Sequence, residues 1–473
     1  MHCTKNWTFR LAAALAAANA LVSTALSDVI TDWNNLAHQY LTNHTTGFEP
    51  VRGKTMVHVA QFDAVNAVVG GYMPYALTVV APGASPEAAA ARAAYTVLTN
   101  LSRADLRKLN GALSNSLAGL PDGPAKAAGV ELGRISGETL LQLRAADNTA
   151  LPITPPSSST IGQWRPTPPS FEAGAGANFR YFLPWTMRSQ AQFRPPPPPD
   201  LKSGQYAADL EEVRLLGGKN STTRTADQSH AAEWHNGTDR SYLLTALPQR
   251  DQSLLERSRL FALYYMAWFD AAVAFLEAQY AYNLWRPITA IRNAARDGND
   301  LTEPDATWLP FEDTPNHPEY PSGTCATTAA MIDVVIHFFG DSYGFTAPSL
   351  HTPRDRTFSR PSAAVEDAIT ARIAAGAHYR TSCVRGVELG RTIAQNALRN
   401  FLRPAPRLMS GAPRTPGEFV VHLSTVPEIH VIEASSDLSS WTPVSTNIVG
   451  TTSHTDATAG ANLRFYRSVV LRQ

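Results

Sequence analysis

The stretch from Asp251 to Pro287, DQSLLERSRLFALYYMAWFDAAVAFLEAQYAYNLWRP, is a long apolar run at helical spacing. It is far too long for a strand, and its charged residues break it before it offers the ~20 consecutive apolar residues of a membrane span. It reads as a core helix that ends where Pro287 forces the chain out, with Arg286 at its end. Working outward, QYAADLEEVRLLG precedes it, and GTCATTAAMIDVVIHFF and AAVEDAITARIAAGAHYR follow, the last leading into GVELGRTIAQNALRNFL. From Asp28 to about Ala150 the chain is Ala-rich and helical, as in GKTMVHVAQFDAVNAVVGGY, SPEAAAARAAYTVLTNL and GVELGRISGETLLQLRAADN. Residues 151–200 are proline-rich and end in FRPPPPPD; aromatic and basic residues in QWRPTPPSF and FLPWTMRSQAQFRPP predict a long loop packed on the domain. Strand signals are nearly absent before residue 410. After RPAPRLMSGAPRTPG the period changes to two, in EFVVHLS, IHVIEASS, WTPVSTNI and LRFYRSVVL. The expected fold is therefore mainly α over residues 28–410, with a small all-β, sandwich-like domain over 411–473.

The chain has 473 residues and 44% hydrophobic content, enough for a large core and two or three domains. Lys+Arg and Asp+Glu both total 40, so bulk charge favours neither nucleic acid nor an anionic membrane, and function must come from a local site. At the N-terminus Lys5 and Arg10 precede a Leu/Ala/Val run and the small-x-small pattern Ala25-Leu26-Ser27. This predicts a signal peptide over residues 1–27 and a soluble, exported protein, periplasmic or extracellular, with no membrane span. Cys3 then leaves with the leader, and the mature chain keeps Cys325 and Cys383.

Polar chemistry concentrates in YAYNLWRPITAIR with Arg286, HPEYPSGTC with Ser322 and Gly323, and TARIAAGAHYR with Arg372, His378 and Arg380. The Pro-Ser-Gly turn would present a hydroxyl and an amide at a helix start, where the dipole favours an anion. Six residues of helix turn through about 600°, which would put Arg372 and His378 about 120° apart at the edges of one face. Two guanidinium forks, a hydroxyl, an amide and an imidazole are what a tetrahedral or trigonal-bipyramidal oxyanion requires. Singly, each has a plain alternative: a charged helix end, a turn, a core histidine. In HAAEWH, His230 and His235 are five apart with no third ligand nearby, poor spacing for a metal site, and His58 and Asp63 read as packing and capping groups.

In order and spacing, the three segments resemble the vanadium-dependent haloperoxidase and type 2 phosphatidic acid phosphatase superfamily. Its signature is Lys, Arg-Pro seven residues later, Pro-Ser-Gly-His, and Arg with His six residues on. VHVAQFDAVNAV, GQWRPTPPSF and QFRPPPPPD also look like its bacterial haloperoxidase-like branch, so the resemblance spans roughly Asp28 to Leu402. It implies a helical-bundle haloperoxidase-like core in which Arg286, Ser322, Gly323 and Arg372 hold the oxygens of vanadate or phosphate and His378 bonds the metal or phosphorus. Two positions depart from the signature: Gln279 stands where the family has lysine, and Thr324 where it has the acid/base histidine. His317, five residues before Ser322, matches a histidine of the bromide-oxidising members and is the alternative proton carrier; Tyr320 and Glu319 are weaker ones. The resemblance thus implies halide oxidation by hydrogen peroxide at vanadate, with a phosphate-ester hydrolase working through a phosphohistidine, or an anion-binding scaffold, as rival readings. If Ser322 and His378 meet around one anion, Cys325 and Cys383 come close enough for the expected disulfide.

Overall fold

A computed structural model describes residues 28–44, 49–101, 106–147, 153–237, 244, 252–349, 352, 354–405, 408–411, 419–423, 430–436, 440–447, 453–456 and 465–470. The expected leader at 1–27 lies outside them. Among the described residues the helices are α1 (Val29–His44), α2 (Glu49–Val69), α3 (Pro86–Leu101), α4 (Leu106–Ala118), α5 (Pro124–Leu143), α6 (Gly204–Leu216), α7 (Ala226–Gly237), α8 (Leu254–Tyr282), α9 (Pro287–Arg292), α10 (Gly323–Phe339), α11 (Ala363–Ala374) and α12 (Arg380–Asn400). Strands β1 (Phe345–Ala347) and β2 (Arg356–Phe358) form a short antiparallel pair between α10 and α11. By compactness the chain divides into one unit ending at Leu402 and a second made of Gly71–Met73 with Arg403–Gln473.

Helix α8 is the axis of the first unit and packs on α2, α10 and α12. Ser253 caps its start, its side chain accepting from the Glu256 N–H at 3.2 Å, the first half of a Ser-x-x-Glu capping box. Among the described residues α8 alone is long and apolar enough to cross a bilayer, and 94% of its most apolar window is buried inside the protein. The helix stops before Pro287: Asn283 takes a left-handed conformation (φ 52°) and returns its N–H to Gln279 O. Pro287 instead opens α9 at the first helical position, where a missing N–H costs nothing, and Arg286 becomes the residue before it. The proline-rich segment is packed as expected, with Trp164, Phe179, Phe182 and Trp185 buried. Tyr282 and Tyr320 hydroxyls donate to the carbonyls of Pro195 and Pro196, both at 2.6 Å.

The same construction occurs twice. Phe62-Asp63-Ala64 on α2 matches Phe269-Asp270-Ala271 on α8. Asp63 accepts the N–H groups of Tyr75, Ala76 and Leu77 at 2.7, 2.7 and 2.9 Å; Asp270 accepts those of Trp185 and Thr186 at 2.6 and 2.7 Å. Five residues before each aspartate, His58 and Tyr265 stack on one another with centroids 4.9 Å apart, and Tyr75 meets Trp185 at 5.3 Å. The hexapeptide GVELGR then recurs at 129–134 in α5 and 386–391 in α12. A methyl group on Gly129 would lie 2.4 Å from Ser85 O, and one on Gly386 would lie 2.4 Å from Ser322 O. Only hydrogen lets α5 close on α3 and α12 on α10 in this way. Ser85 and Ser322 are thus equivalent, but Pro86 follows the first and Gly323 the second.

His58 is fully buried, and desolvation holds its imidazole down to about 3. Between that value and the ordinary 6.5 only the unfolded chain takes up the proton, so His58 costs stability progressively as pH falls below 6.5. Unfolding free energies from urea titration at pH 6.5 and 5 are expected to differ by about 2 kcal/mol more in the parent than in His58→Phe. Equal differences would show that His58 does not titrate on unfolding.

In the second unit β3 (Leu408–Gly411), β4 (Phe419–Leu423) and β7 (Ser453–Asp456) form one antiparallel sheet in the order β3-β4-β7. β6 (Thr442–Asn447), β5 (His430–Ser435) and β8 (Phe465–Val470) form another, in the order β6-β5-β8. Val431, Ile432 and Ala434 of the middle strand β5 are buried. The four strands read from the period-two pattern are present as β4, β5, β6 and β8; β3 and β7 were not anticipated, because Leu408–Gly411 and Ser453–Asp456 carry no run of alternating apolar residues.

Candidate active site

The turn after α11 sets the site. The spacing argument placed Arg372 and His378 on one helix, but α11 ends at Ala374 and α12 starts at Arg380, leaving His378 between them. Gly376 breaks the helix at φ 76°, where a side chain would also strike Gly217 O at 2.5 Å. The Arg372 carbonyl closes the turn, accepting the N–H of Ala377 (3.2 Å) and of His378 (3.3 Å). This aims the His378 ring inward.

Arg286 lies at the centre, fully buried. Its Nε donates to His317 O at 2.7 Å and its Nη1 to Ala377 O at 2.9 Å; Nη1 is also 3.1 Å from His378 Nε2, and Nη2 is 3.1 Å from His317 Nδ1. His378 Nδ1 lies 2.9 Å from Glu319 Oε1, which also accepts the Tyr379 N–H at 3.0 Å. Gln279, on the last turn of α8, donates through Nε2 to Pro321 O (2.8 Å) and faces His317 Nδ1 with Oε1 (2.7 Å). Ser322 caps α10, its Oγ accepting from Cys325 N, and its own N–H donates to Ser382 O at 3.1 Å. Gly323 lies against Phe275, whose ring a Cβ would meet at 2.6 Å.

Arg286, Gln279, His317 and His378 therefore converge through hydrogen bonds, with Ser322 and Gly323 at the adjoining helix start, and Arg372 is buried in the same region. Thr324 is half-buried in the first turn of α10. Tyr320 points away to the polyproline segment. Arg380 pairs with Glu212 outside the cluster. His230 and His235 serve an ion network instead: His235 bonds Asp367 at 2.9 Å, and Arg356 bridges Asp367, Asp227 and His230. No group of residues fit to hold a metal ion by side-chain donors alone occurs among the described residues. Glu319, read from sequence only as a weak proton carrier, is the direct partner of His378; the ring's position in a turn 59 residues away gave no local signal of this.

The expected disulfide is corrected. Cys325 and Cys383 do come together, as side-chain hydrogen-bond partners, but as buried thiols with no bond between the sulfurs. Burial pushes the Cys383 thiol well up, which suppresses the thiolate that oxidation requires, and the close α10–α12 contact at Gly386 covers both.

Electrostatically the site favours an anion. Burial, reinforced by the like charge of Arg372, holds the Arg286 guanidinium down to about 9. Burial and then the two arginines keep His378 well below its usual range, so it is a neutral imidazole. His317 is lowered by burial and by Arg286, and burial pushes the Glu319 carboxyl up to about 8. Two guanidinium charges repelling one another in a dry site are relieved by an oxyanion between them.

The helical bundle thus gathers Arg286, the N-terminus of α10 and an inward imidazole, with Arg372 buried nearby. Residues 259–405 match the family described as the VCPO second helical-bundle domain. Among solved structures, a bacterial vanadium-dependent iodoperoxidase is similar at TM-score 0.64 and 22% identity, over 78% of this chain and 95% of that one. A bacterial vanadium-dependent chloroperoxidase is similar in its apo form (TM-score 0.59, 15% identity, 78% and 98% covered) and its holo form (0.56, 14%, 80% and 93%). No curated protein matches the sequence. Residues 259–405 thus resemble that helical-bundle family, and the fold is like that of these solved haloperoxidase structures.

Proposed function

We propose that this protein is a vanadium-dependent haloperoxidase, oxidising halide with hydrogen peroxide. The observation that carries this reading is the buried meeting of Arg286 with His378 Nε2, at 3.1 Å, beside the helix start at Ser322 and Gly323, with Arg372 buried as well. This donor set fits vanadate: Arg286 and Arg372 would compensate oxygen charge, Ser322 and the α10 amides would donate to oxygens, and His378 would be the ligand. When bound, vanadate would supply Lewis-acid activation of peroxide toward halide. Export through the leader expected at residues 1–27 belongs to the same reading.

Proton movement falls to His317. Gln279 gives its amide N–H to Pro321 O and turns its oxygen to His317 Nδ1 at 2.7 Å, the nitrogen that Arg286 Nη2 also approaches at 3.1 Å, which leaves Nε2 outside these contacts as the proton carrier. A lysine at 279 would break this bond, so a gain is sought from Thr324→His alone. A histidine there, after Gly323, is expected to raise bromination turnover by about 10²-fold, whereas His317→Ala lowers it in the parent. A Thr324→His variant that binds vanadate like the parent and is no faster rejects the assignment.

The His378 ring, held at Nδ1 by the Glu319 carboxyl group, also suits a nucleophile, which favours the phosphatase as second reading. Purified protein with orthovanadate, peroxide and bromide is expected to brominate a dye. Hydrolysis of a phosphate ester without vanadate would support the second reading instead, and failure of both with vanadate binding intact would leave an anion-binding protein.

A further inference from the structure

We propose that Glu319 is the positioning residue for His378: it fixes the proton on Nδ1 and so leaves the Nε2 lone pair to the anion's central atom. The proposal rests on the reading of His378 as anion ligand only in its last clause. The tautomer follows from two independent contacts. Arg286 has donors only, so its Nη1, 3.1 Å from His378 Nε2, requires a lone pair on that nitrogen. With Nε2 offering its lone pair to Arg286, the ring's proton is on Nδ1, which meets Glu319 Oε1 at 2.9 Å.

Glu319 is itself immobilised for this task. It is fully buried; the Tyr379 N–H donates to the same Oε1, the Ser382 hydroxyl donates to its carbonyl at 3.4 Å, and its own N–H donates to Leu284 O at 3.0 Å. Its second oxygen, Oε2, is buried without a hydrogen-bond partner among the described residues. The Glu319 carboxyl group is therefore committed through Oε1 to the imidazole and the neighbouring backbone rather than to a fork-to-fork pair with Arg286. A ligating histidine held by a carboxylate at its other nitrogen is oriented and made more basic, and loss of such a partner costs about 10–100-fold in affinity.

Nitrogen-15 NMR of histidine-labelled, ligand-free protein reads the tautomer directly. His378 is expected to carry its proton on Nδ1 in the parent and in Glu319→Gln, whose amide oxygen still accepts. In Glu319→Ala only the Arg286 contact still favours that tautomer, so an Nε2-protonated fraction becomes detectable, and calorimetric affinity for inorganic vanadate falls about 10-fold, while Glu319→Gln stays within about threefold of the parent. An Nε2-protonated His378 in the parent or in Glu319→Gln overturns the proposal, and these two spectra decide it even if Glu319→Ala does not fold. Parental tautomer and parental affinity in a folded Glu319→Ala overturn it equally. A parent that takes up no vanadate defeats the proposed function, but the ligand-free spectra still decide the role of Glu319.

Discussion

His378→Ala is expected to weaken vanadate binding by more than about 10²-fold, beyond the 10–100-fold that loss of a ligand's carboxylate partner costs. The arginines alone supply charge without a bond to the central atom, and Arg286 is already engaged by the carbonyls of His317 and Ala377. A 10²-fold loss is about 2.7 kcal/mol. Halide oxidation should fall at least as far, because the remaining groups hold the anion without orienting it. The fold should survive, since Glu319 keeps the Tyr379 N–H and Arg286 keeps its carbonyl partners. Calorimetry with orthovanadate on the folded variant decides: affinity within about threefold of the parent would remove His378 from the ligand set.

Gly390→Ala is expected to lower stability by about 3 kcal/mol, the upper end for a core overpacked by one methyl group. The added Cβ would stand 2.1 Å from the Ala326 carbonyl oxygen and 2.9 Å from Ala330 N. Both obstacles are backbone inside α10, so no side chain can rotate aside and the helices must separate. Separation also strains the site, because the Ser322 N–H reaches Ser382 O across the same interface. Gly111→Ala is the control: Gly111 lies within α4 with nothing within 4 Å of its added carbon, and a gain of about 0.5–1 kcal/mol is expected there. Urea midpoints measure both. A Gly390→Ala protein as stable as the parent would contradict the close α10–α12 packing.

The sequence determined what is periodic and local. Apolar spacing from Leu254 to Tyr282 marked the central helix, and the change to period two marked strands at Phe419, His430, Thr442 and Phe465. Arg286, Ser322, Arg372 and His378 were legible as segments that could serve one anion. The duplication was also written there, as Phe-Asp-Ala twice and GVELGR twice, yet its meaning needed the contacts of Ser85 with Gly129 and Ser322 with Gly386. Only the tertiary structure decided that Asn283 ends α8 ahead of Pro287, that Gly376 lifts His378 off its helix, and that Cys325 and Cys383 meet as thiols. Only it joined His378 to Glu319 across 59 residues and to Arg286 across 92. Periodicity reports which face of an element is buried; which groups then face one another across that burial is set by how closely the backbones approach, and here by glycines whose missing side chains a one-dimensional pattern does not record.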